Sequence, residues 1–288
     1  MKIIVLGGTG MLGQSLCRLA QTFKHTCLSV ARVNSDINLD ITDDSKLEQM
    51  LRAENPDVVI NACAIVNHKI CDQNPQLAYI TNSRPSSLLS DLSQEIGYKY
   101  IFISTDGYFN GDKNKKHDEN SKVTLLNEYA RTKYLGEQLT LLNPSALVVR
   151  TNIVGFRGDK NRATFVEWAI DALKNQADMT LFDDYYTSSI STHQFSKIIF
   201  DLLPKNPCGI INIASCEVFS KKTFIETLAK ALDLSLKNTK TGSVAELTTS
   251  KRADSLGLDV TKAEKILGYS LPTLKEVIEQ LKKEYCNV

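Results

Sequence analysis

No stretch of this 288-residue chain is a membrane span, although 42% of its residues are hydrophobic. A span needs about 18 to 20 consecutive apolar residues, so no membrane partner is expected. The opening run Met1-Lys2-Ile3-Ile4-Val5-Leu6 meets glycine at once. It is too short for a secretory signal, and a cytoplasmic location is expected. Charge of one sign is also lacking: 34 basic and 33 acidic residues leave a net charge of +1. With no global field to recruit a polyanion, no nucleic-acid partner is expected. The seven cysteines are scattered and odd in number, and none forms a Cys-x-x-Cys pair. That excludes a disulfide scaffold and a zinc site of paired ligands. His68 lies three residues before Cys71, but without a second ligand pair no metal is expected. Low-complexity tails and fixed-period repeats are absent too, leaving one compound domain or two small ones.

What is present is an alternation. Short apolar runs at 2–6, 26–31, 57–60, 100–104 and 146–150 read as strands. Between them, residues 11–23, 45–53, 75–96 and 127–142 carry helical periodicity, with Asp43 or Asp44 as one N-cap and Gly97 as one terminator. Unbroken apolar strands alternating with amphipathic helices imply a parallel sheet covered on both faces. The second half is less regular. Helices are expected at 164–174, 192–203, 221–232, 260–267 and 274–283, a returning strand at 209–213, and a polar loop over 233–258. The predicted fold is α/β: a Rossmann-type doubly wound parallel sheet with a smaller C-terminal substrate-binding lobe. Residues 1–150 would form the dinucleotide-binding domain, with return segments near 190–213. Residues 151–189 and 214–288 would form the lobe, over the strands' carboxyl ends where such sheets bind ligands.

Gly7, Gly10 and Gly13 follow the first strand and open the first helix. The first permits a tight turn, the second lets backbone approach a pyrophosphate, and the third allows close helix–strand packing. Gly7, Thr9, Gly10, Met11, Leu12 and Gly13 are therefore expected to bind a dinucleotide. An acidic residue ending the second strand would select NAD, but Ser29-Val30-Ala31-Arg32 stands there. Arg32 suits the 2′-phosphate of NADP. Asp36 and Asp40 follow a little farther on, so NADP(H) is the expected preference and NAD(H) stays admissible.

Tyr129 and Lys133 are four apart on a predicted helix and share its face. A phenol titrates near 10, and a neighbouring ammonium stabilises its phenolate. Ser104-Thr105-Asp106 ends the fourth strand, where a hydroxyl can hydrogen-bond a substrate carbonyl. Asn61-Ala62-Cys63-Ala64 ends the third, with residues small enough for a nicotinamide ring to lie close. Cys63 reads as a packing residue and Trp168 as core. The segment 183–186 reads equally as pocket lining or surface loop.

With these residues the chain resembles the extended short-chain dehydrogenase/reductase family, and within it the dTDP-4-dehydrorhamnose reductase-like sugar-nucleotide reductases. The resemblance spans most of the chain. It covers the glycine turn, residues 39–43, 61–64 and 74–79, Ile103-Ser104-Thr105-Asp106 with Phe109-Asn110-Gly111, Tyr129 to Lys133 with Gly136-Glu137, Arg150-Thr151-Asn152, and the strand at 209–213. It implies NAD(P)H-dependent reduction of the 4-keto group of a nucleotide-linked 6-deoxy sugar, in polysaccharide biosynthesis. Thr105, Tyr129 and Lys133 would be catalytic: Tyr129 protonating the ketone oxygen, Thr105 polarising the carbonyl, Lys133 holding the nicotinamide ribose. Asp40 and Ile41 would contact adenine. Asn61, Ala62, Cys63 and Ala64 would line the cofactor, and Val66, Thr105, Asp106, Tyr129 and Asn152 the substrate. A homodimer through helices flanking the sheet is expected by the same analogy.

The sequence also departs from the family. Gly107-Tyr108 replaces Tyr-Val, Ile153 replaces a tryptophan, Ser188-Ser189 replaces a Pro-Thr segment, and Val66 replaces a threonine. These changes fall on the sugar side. Gly107 also replaces the glutamate of related dehydratases, which favours simple reduction. An epimerase or epimerase-reductase, needing a second acid/base such as His68, His193 or Cys63, is the alternative enzyme. A non-catalytic regulatory subunit is the alternative outside enzymes, since the regulatory subunit of methionine adenosyltransferase resembles the same family.

Overall fold

The structure, a computed structural model, describes residues 1–246 and 252–286. It divides into two compact units: Met1–Thr105, Leu125–Arg150 and Ser196–Ile211 form one, and Asp106–Thr124, Thr151–Phe195 and Asn212–Val288 the other. Residues 106–124, grouped with the first domain on sequence, fall in the second unit.

The chain runs through β1 (Lys2–Leu6), α1 (Met11–Thr22), β2 (Thr26–Ala31), β3 (Ile37–Asn38), α2 (Asp44–Glu54), β4 (Val58–Asn61), α3 (His68–Gln73), α4 (Pro75–Asn82), α5 (Pro85–Ile96), β5 (Lys99–Ile103), α6 (Glu128–Thr140) and β6 (Leu147–Arg150). It continues through β7 (Ile153–Val154), α7 (Phe165–Lys174), β8 (Met179–Phe182), β9 (Tyr186–Thr187), β10 (Ile190–Ser191), α8 (Thr192–Leu202), β11 (Gly209–Asn212), β12 (Phe219–Ser220), α9 (Lys221–Ala231), β13 (Thr239–Gly242), β14 (Ser255–Leu256), α10 (Thr261–Leu267) and α11 (Leu274–Cys286).

The first unit is the doubly wound sheet that the alternation predicts. Its seven strands lie in the order β11-β6-β5-β4-β1-β2-β3, and β1 pairs in parallel with both β2 and β4. Ile3 to Leu6 are 0% exposed, as a strand covered on both faces must be. Leu16 of α1, Leu47 and Leu51 of α2 and Leu89 of α5 supply the cover. Strand order reverses between β1 and β4, so their carboxyl ends bound the crevice where such sheets bind ligands.

The expected helix over 75–96 is in fact two. Pro85 carries no N–H and starts α5, while the N–H groups of Ser83 and Arg84 both donate to Tyr79 O, at 3.0 and 3.1 Å. The chain breaks there and turns. The short α3 was also not anticipated; Asn67 caps it by accepting from Ile70 N at 3.2 Å.

The second unit joins small sheets to helices. β7 pairs with β10, β9 lies between β12 and β14, and β8 pairs with β13. The loop expected over 233–258 therefore holds two strands, β13 and β14. Their sequences, Thr-Lys-Thr-Gly and Ser-Leu, offer no apolar alternation to read; residues 247–251 of that segment lie outside the described residues. Trp168 is 49% exposed rather than core; Val166, Ala169, Ile170 and Leu173 form the buried face of α7. Among the described residues no helix is long and apolar enough to cross a membrane.

Candidate functional site

The glycine turn lies where β1 ends. Gly7 has φ +84°, a conformation that excludes most other residues, and its N–H donates to Val30 O at 2.8 Å. A Cβ on Gly13 would stand 2.1 Å from Gly7 O, so only glycine lets α1 start this close to the turn. Gly10 is the N-cap of α1. It has no side-chain cap, and no acidic residue occupies the first turn. A Cβ there would meet nothing within 4 Å except Gly7 O at 3.2 Å. The turn is thus an open cradle of backbone donors at a positive helix end, and this donor set fits a dinucleotide diphosphate. Thr9 and Met11 are partly exposed at the cradle, while Leu12 is buried beneath it.

At the end of β2, Arg32 is exposed. Asp36 is committed nearby: its carboxylate accepts from Ser29 N at 2.8 Å and Ser29 Oγ at 2.6 Å, which holds its pKa below the usual range. Asp40 accepts from Thr42 N and Oγ1 at 3.0 and 2.8 Å. Ile41 is buried. The acidic groups are therefore tied to their own loop, and Arg32 is left outward.

Asn61 is buried at the end of β4, and its Oδ1 accepts from Cys63 N at 3.1 Å. Ala62, Cys63 and Ala64 are partly buried, whereas Val66 is 61% exposed. Burial pushes the Cys63 thiol up to about 12, against a nucleophilic role. The conformation of this loop depends on a residue that sequence reasoning missed. Buried Asn82 accepts from Ile65 N at 2.7 Å and donates to Ile65 O at 3.1 Å and Thr132 Oγ1 at 3.2 Å.

Tyr129 and Lys133 occupy successive turns of α6. Asn127 caps that helix, accepting from Ala130 N at 2.9 Å, and its Nδ2 lies 3.3 Å from His68 Nδ1. The His68 ring in turn stacks on Tyr129, with centroids 5.1 Å apart and planes at 19°. Lys133 is 2% exposed. Its Nζ donates to Ile103 O at 2.7 Å, two residues before Thr105, and lies 3.9 Å from the centroid of the Phe102 ring. Burial drives its pKa down to about 7, opposed by the Glu137 carboxylate and by Cys63.

Glu137 stands one turn beyond Lys133 and is fully buried. It accepts from Ser104 Oγ at 2.6 Å and from Arg150 Nε and Nη2 at 3.0 and 2.8 Å. This ion pair rivets α6 to the ends of β5 and β6. It therefore sets the register between Tyr129, Lys133 and Thr105. The sequence carried Glu137 and Arg150 only as members of a resemblance; nothing in it paired them.

In the second unit Asp106 and Asn152, both expected at the substrate, are brought together. Asn152 Nδ2 donates to Asp106 Oδ2 at 2.7 Å, and Asn152 Oδ1 accepts from Ser189 Oγ at 2.6 Å. Thr187 Oγ1 extends the chain to Ser189 Oγ at 2.9 Å.

Residues 1–287 match the family profile described as RmlD substrate binding domain. The chain is 25% identical to a Haloferax volcanii protein described as "Probable low-salt glycan biosynthesis reductase Agl14", over 99% of this chain and 98% of that protein. Among solved structures, a hypothetical dTDP-4-dehydrorhamnose reductase from Sulfolobus tokodaii is 27% identical, with a TM-score of 0.84 over 95% of this chain and 97% of that one. A Bacillus anthracis dTDP-4-dehydrorhamnose reductase in complex with NADP aligns over 98% of this chain and 99% of its own, with a TM-score of 0.89. At 22% identity that last likeness shows the fold alone.

Proposed function

The chain belongs to the RmlD substrate binding domain family, and from that premise we propose that it reduces the 4-keto group of a nucleotide-linked 6-deoxy sugar with NADPH. The observation that carries this reading is the seating of α6: Tyr129 one turn before a buried Lys133, whose Nζ holds Ile103 O just ahead of Thr105. The likeness to a probable glycan biosynthesis reductase and to a hypothetical dTDP-4-dehydrorhamnose reductase supports the substrate class.

Gly7, Thr9, Gly10, Met11, Leu12 and Gly13 hold the cofactor's diphosphate, Arg32 its 2′-phosphate, and Asp40 and Ile41 its adenine. Asn61, Ala62, Cys63 and Ala64 flank the nicotinamide. When bound, the cofactor supplies hydride to the carbonyl carbon. Thr105 donates a hydrogen bond to the ketone oxygen, and Tyr129 gives that oxygen its proton. The Lys133 ammonium favours the resulting phenolate and binds the ribose hydroxyls. Val66, Asp106 and Asn152 belong to the sugar side.

Tyr129→Phe removes only the transferable proton. Turnover should fall about 10²- to 10⁴-fold with NADPH affinity unchanged; retained turnover overturns the mechanism. The stacked His68 favours a second reading, an epimerase, because it sets another titratable group against Tyr129. Exchange of carbon-bound hydrogen with heavy water in the absence of NADPH would establish that activity. A cytoplasmic homodimer completes the proposal. Leu77 and Tyr79 of α4 and Leu135 of α6, each 38–41% exposed, give those helices an apolar surface, and light scattering reads the mass against 32.1 kDa.

A further inference from the structure

His68, the first residue of α3, has no task in the reduction above, yet its ring lies against the proton donor. The imidazole is partly buried and stacks on the Tyr129 phenol, with centroids 5.1 Å apart and planes at 19°. Its Nδ1 lies 3.3 Å from Asn127 Nδ2. Asn127 also caps α6, two residues before Tyr129, and the cap decides which way its amide points: Oδ1 accepts from Ala130 N at 2.9 Å. The end turned to His68 is therefore the NH2, which can only donate. Nδ1 has to accept, and the proton of the neutral ring sits on Nε2. The residue before, Asn67, caps α3 by accepting from Ile70 N at 3.2 Å, so the imidazole stands on a fixed root.

Phenol and imidazole are thus held by one hydrogen-bonded unit at the start of α6. A proton on Nδ1 would set its N–H against the amide N–H, break that bond and free the ring to turn. The neighbouring charged groups are engaged elsewhere or face outward. Asp72 of α3 accepts from Glu128 N at 3.0 Å, Glu128 pairs with Arg131, and Lys69 is exposed. The segment 62–67 contributes only Cys63, whose thiol burial pushes up to about 12, and α4 only the Tyr79 phenol. On α6 itself Lys133 follows Tyr129 by one turn, with its Nζ on Ile103 O.

Resting on the reductase reading above, we propose that His68 is a positioning residue for Tyr129: held neutral by Asn127, it fixes the plane of the phenol so that the hydroxyl meets the ketone oxygen, and its protonation releases the phenol and stops proton transfer. Reduction should then slow on the acid side of neutrality, although it consumes a proton and although Lys133, titrating at about 7, carries its charge there. Loss of the Lys133 charge acts on the opposite, alkaline side.

The test is the pH profile of kcat and KM for the full chain with NADPH and the 4-keto sugar nucleotide, in wild type, His68→Ala, His68→Phe and Asn127→Asp. Near neutral pH His68→Ala should lower kcat about ten- to a hundredfold and leave KM in place, as a misdirected reacting group does. His68→Phe keeps the stack without the titration, so it should restore most of kcat and lose the acid limb. Asn127→Asp keeps the helix cap but turns the donor into an acceptor, so the protonated ring stays held and the limb should vanish with His68 in place. An unchanged NADPH affinity shows that the variants are folded. Wild-type kcat in His68→Ala overturns the proposal. So does an acid limb that survives in His68→Phe, which would belong to Asp72 or Glu128, or one that survives in Asn127→Asp. Nitrogen–proton correlation spectra of the histidine rings judge the clamp without turnover. Of the chain's four histidines, the one whose signal is lost in His68→Phe should carry its proton on Nε2 above neutral pH, and a proton on Nδ1 there sinks the proposal. A wild type with that spectrum that reduces no sugar refutes the reductase reading and leaves the clamp standing.

Discussion

Lys133→Met removes the charge from a side chain that is 2% exposed. In the fold the ammonium titrates near 7 instead of 10.5, chiefly because burial disfavours it. A fall of roughly 3.5 at about 1.4 kcal/mol each is about 5 kcal/mol of stability lost to keeping the lysine charged. Because the folded pKa lies below the unfolded one, the unfolded chain binds the proton more tightly between them. The penalty is therefore full below about pH 7, fades as pH rises, and is gone above the unfolded pKa.

Methionine also gives up the hydrogen bond to Ile103 O, which returns about 1–3 kcal/mol. The variant should thus be more stable than wild type by about 2–4 kcal/mol near neutral pH, and catalytically crippled. Urea unfolding of both proteins at about pH 6.5, 8 and 9 reads this directly, and above about pH 7 the variant's advantage should shrink by about 1.4 kcal/mol per pH unit. A variant less stable than wild type at the lowest pH refutes the reasoning. So does an advantage that does not change with pH.

Glu137→Ala leaves Arg150 buried without its counter-charge and should cost about 3–5 kcal/mol, whereas Glu137→Leu with Arg150→Met should recover most of it; thermal unfolding compares them. Gly13→Ala would place a Cβ 2.1 Å from Gly7 O, so NADPH affinity should collapse while the protein stays folded, as fluorescence titration would show. Arg32→Ser should weaken NADPH by about ten- to a hundredfold, the worth of a charge-assisted hydrogen bond, and leave NADH alone. Equal loss with both cofactors would remove Arg32 from the 2′-phosphate.

The doubly wound sheet was legible because β1, β4, β5 and β6 are continuous apolar runs, and burial on both faces leaves no other composition for them. The cradle was legible because its steric demands fall on glycines at fixed spacing. Tyr129 and Lys133 were legible because one helix carries both. The parts that hold them were not. Glu137 and Arg150 are thirteen residues apart, and Asn82 clamps a loop seventeen residues away. A single sequence gives no sign that such polar residues are buried partners rather than surface groups. Proline 85 sat inside a helical period that was strong enough to hide the break. Strands β13 and β14 are polar, and their partners lie far off in sequence, so composition argued for loop.

The central claim is reduction of a sugar-nucleotide ketone. The direct measurement is loss of reduced-nicotinamide absorbance when purified protein meets NADPH and a panel of dTDP-, UDP-, GDP- and CDP-4-keto-6-deoxy sugars, with Tyr129→Phe alongside. The account predicts turnover with at least one sugar, reduced about 10²-fold or more in the variant. Tight NADPH binding with no turnover on any of them, or turnover that survives Tyr129→Phe, would contradict it.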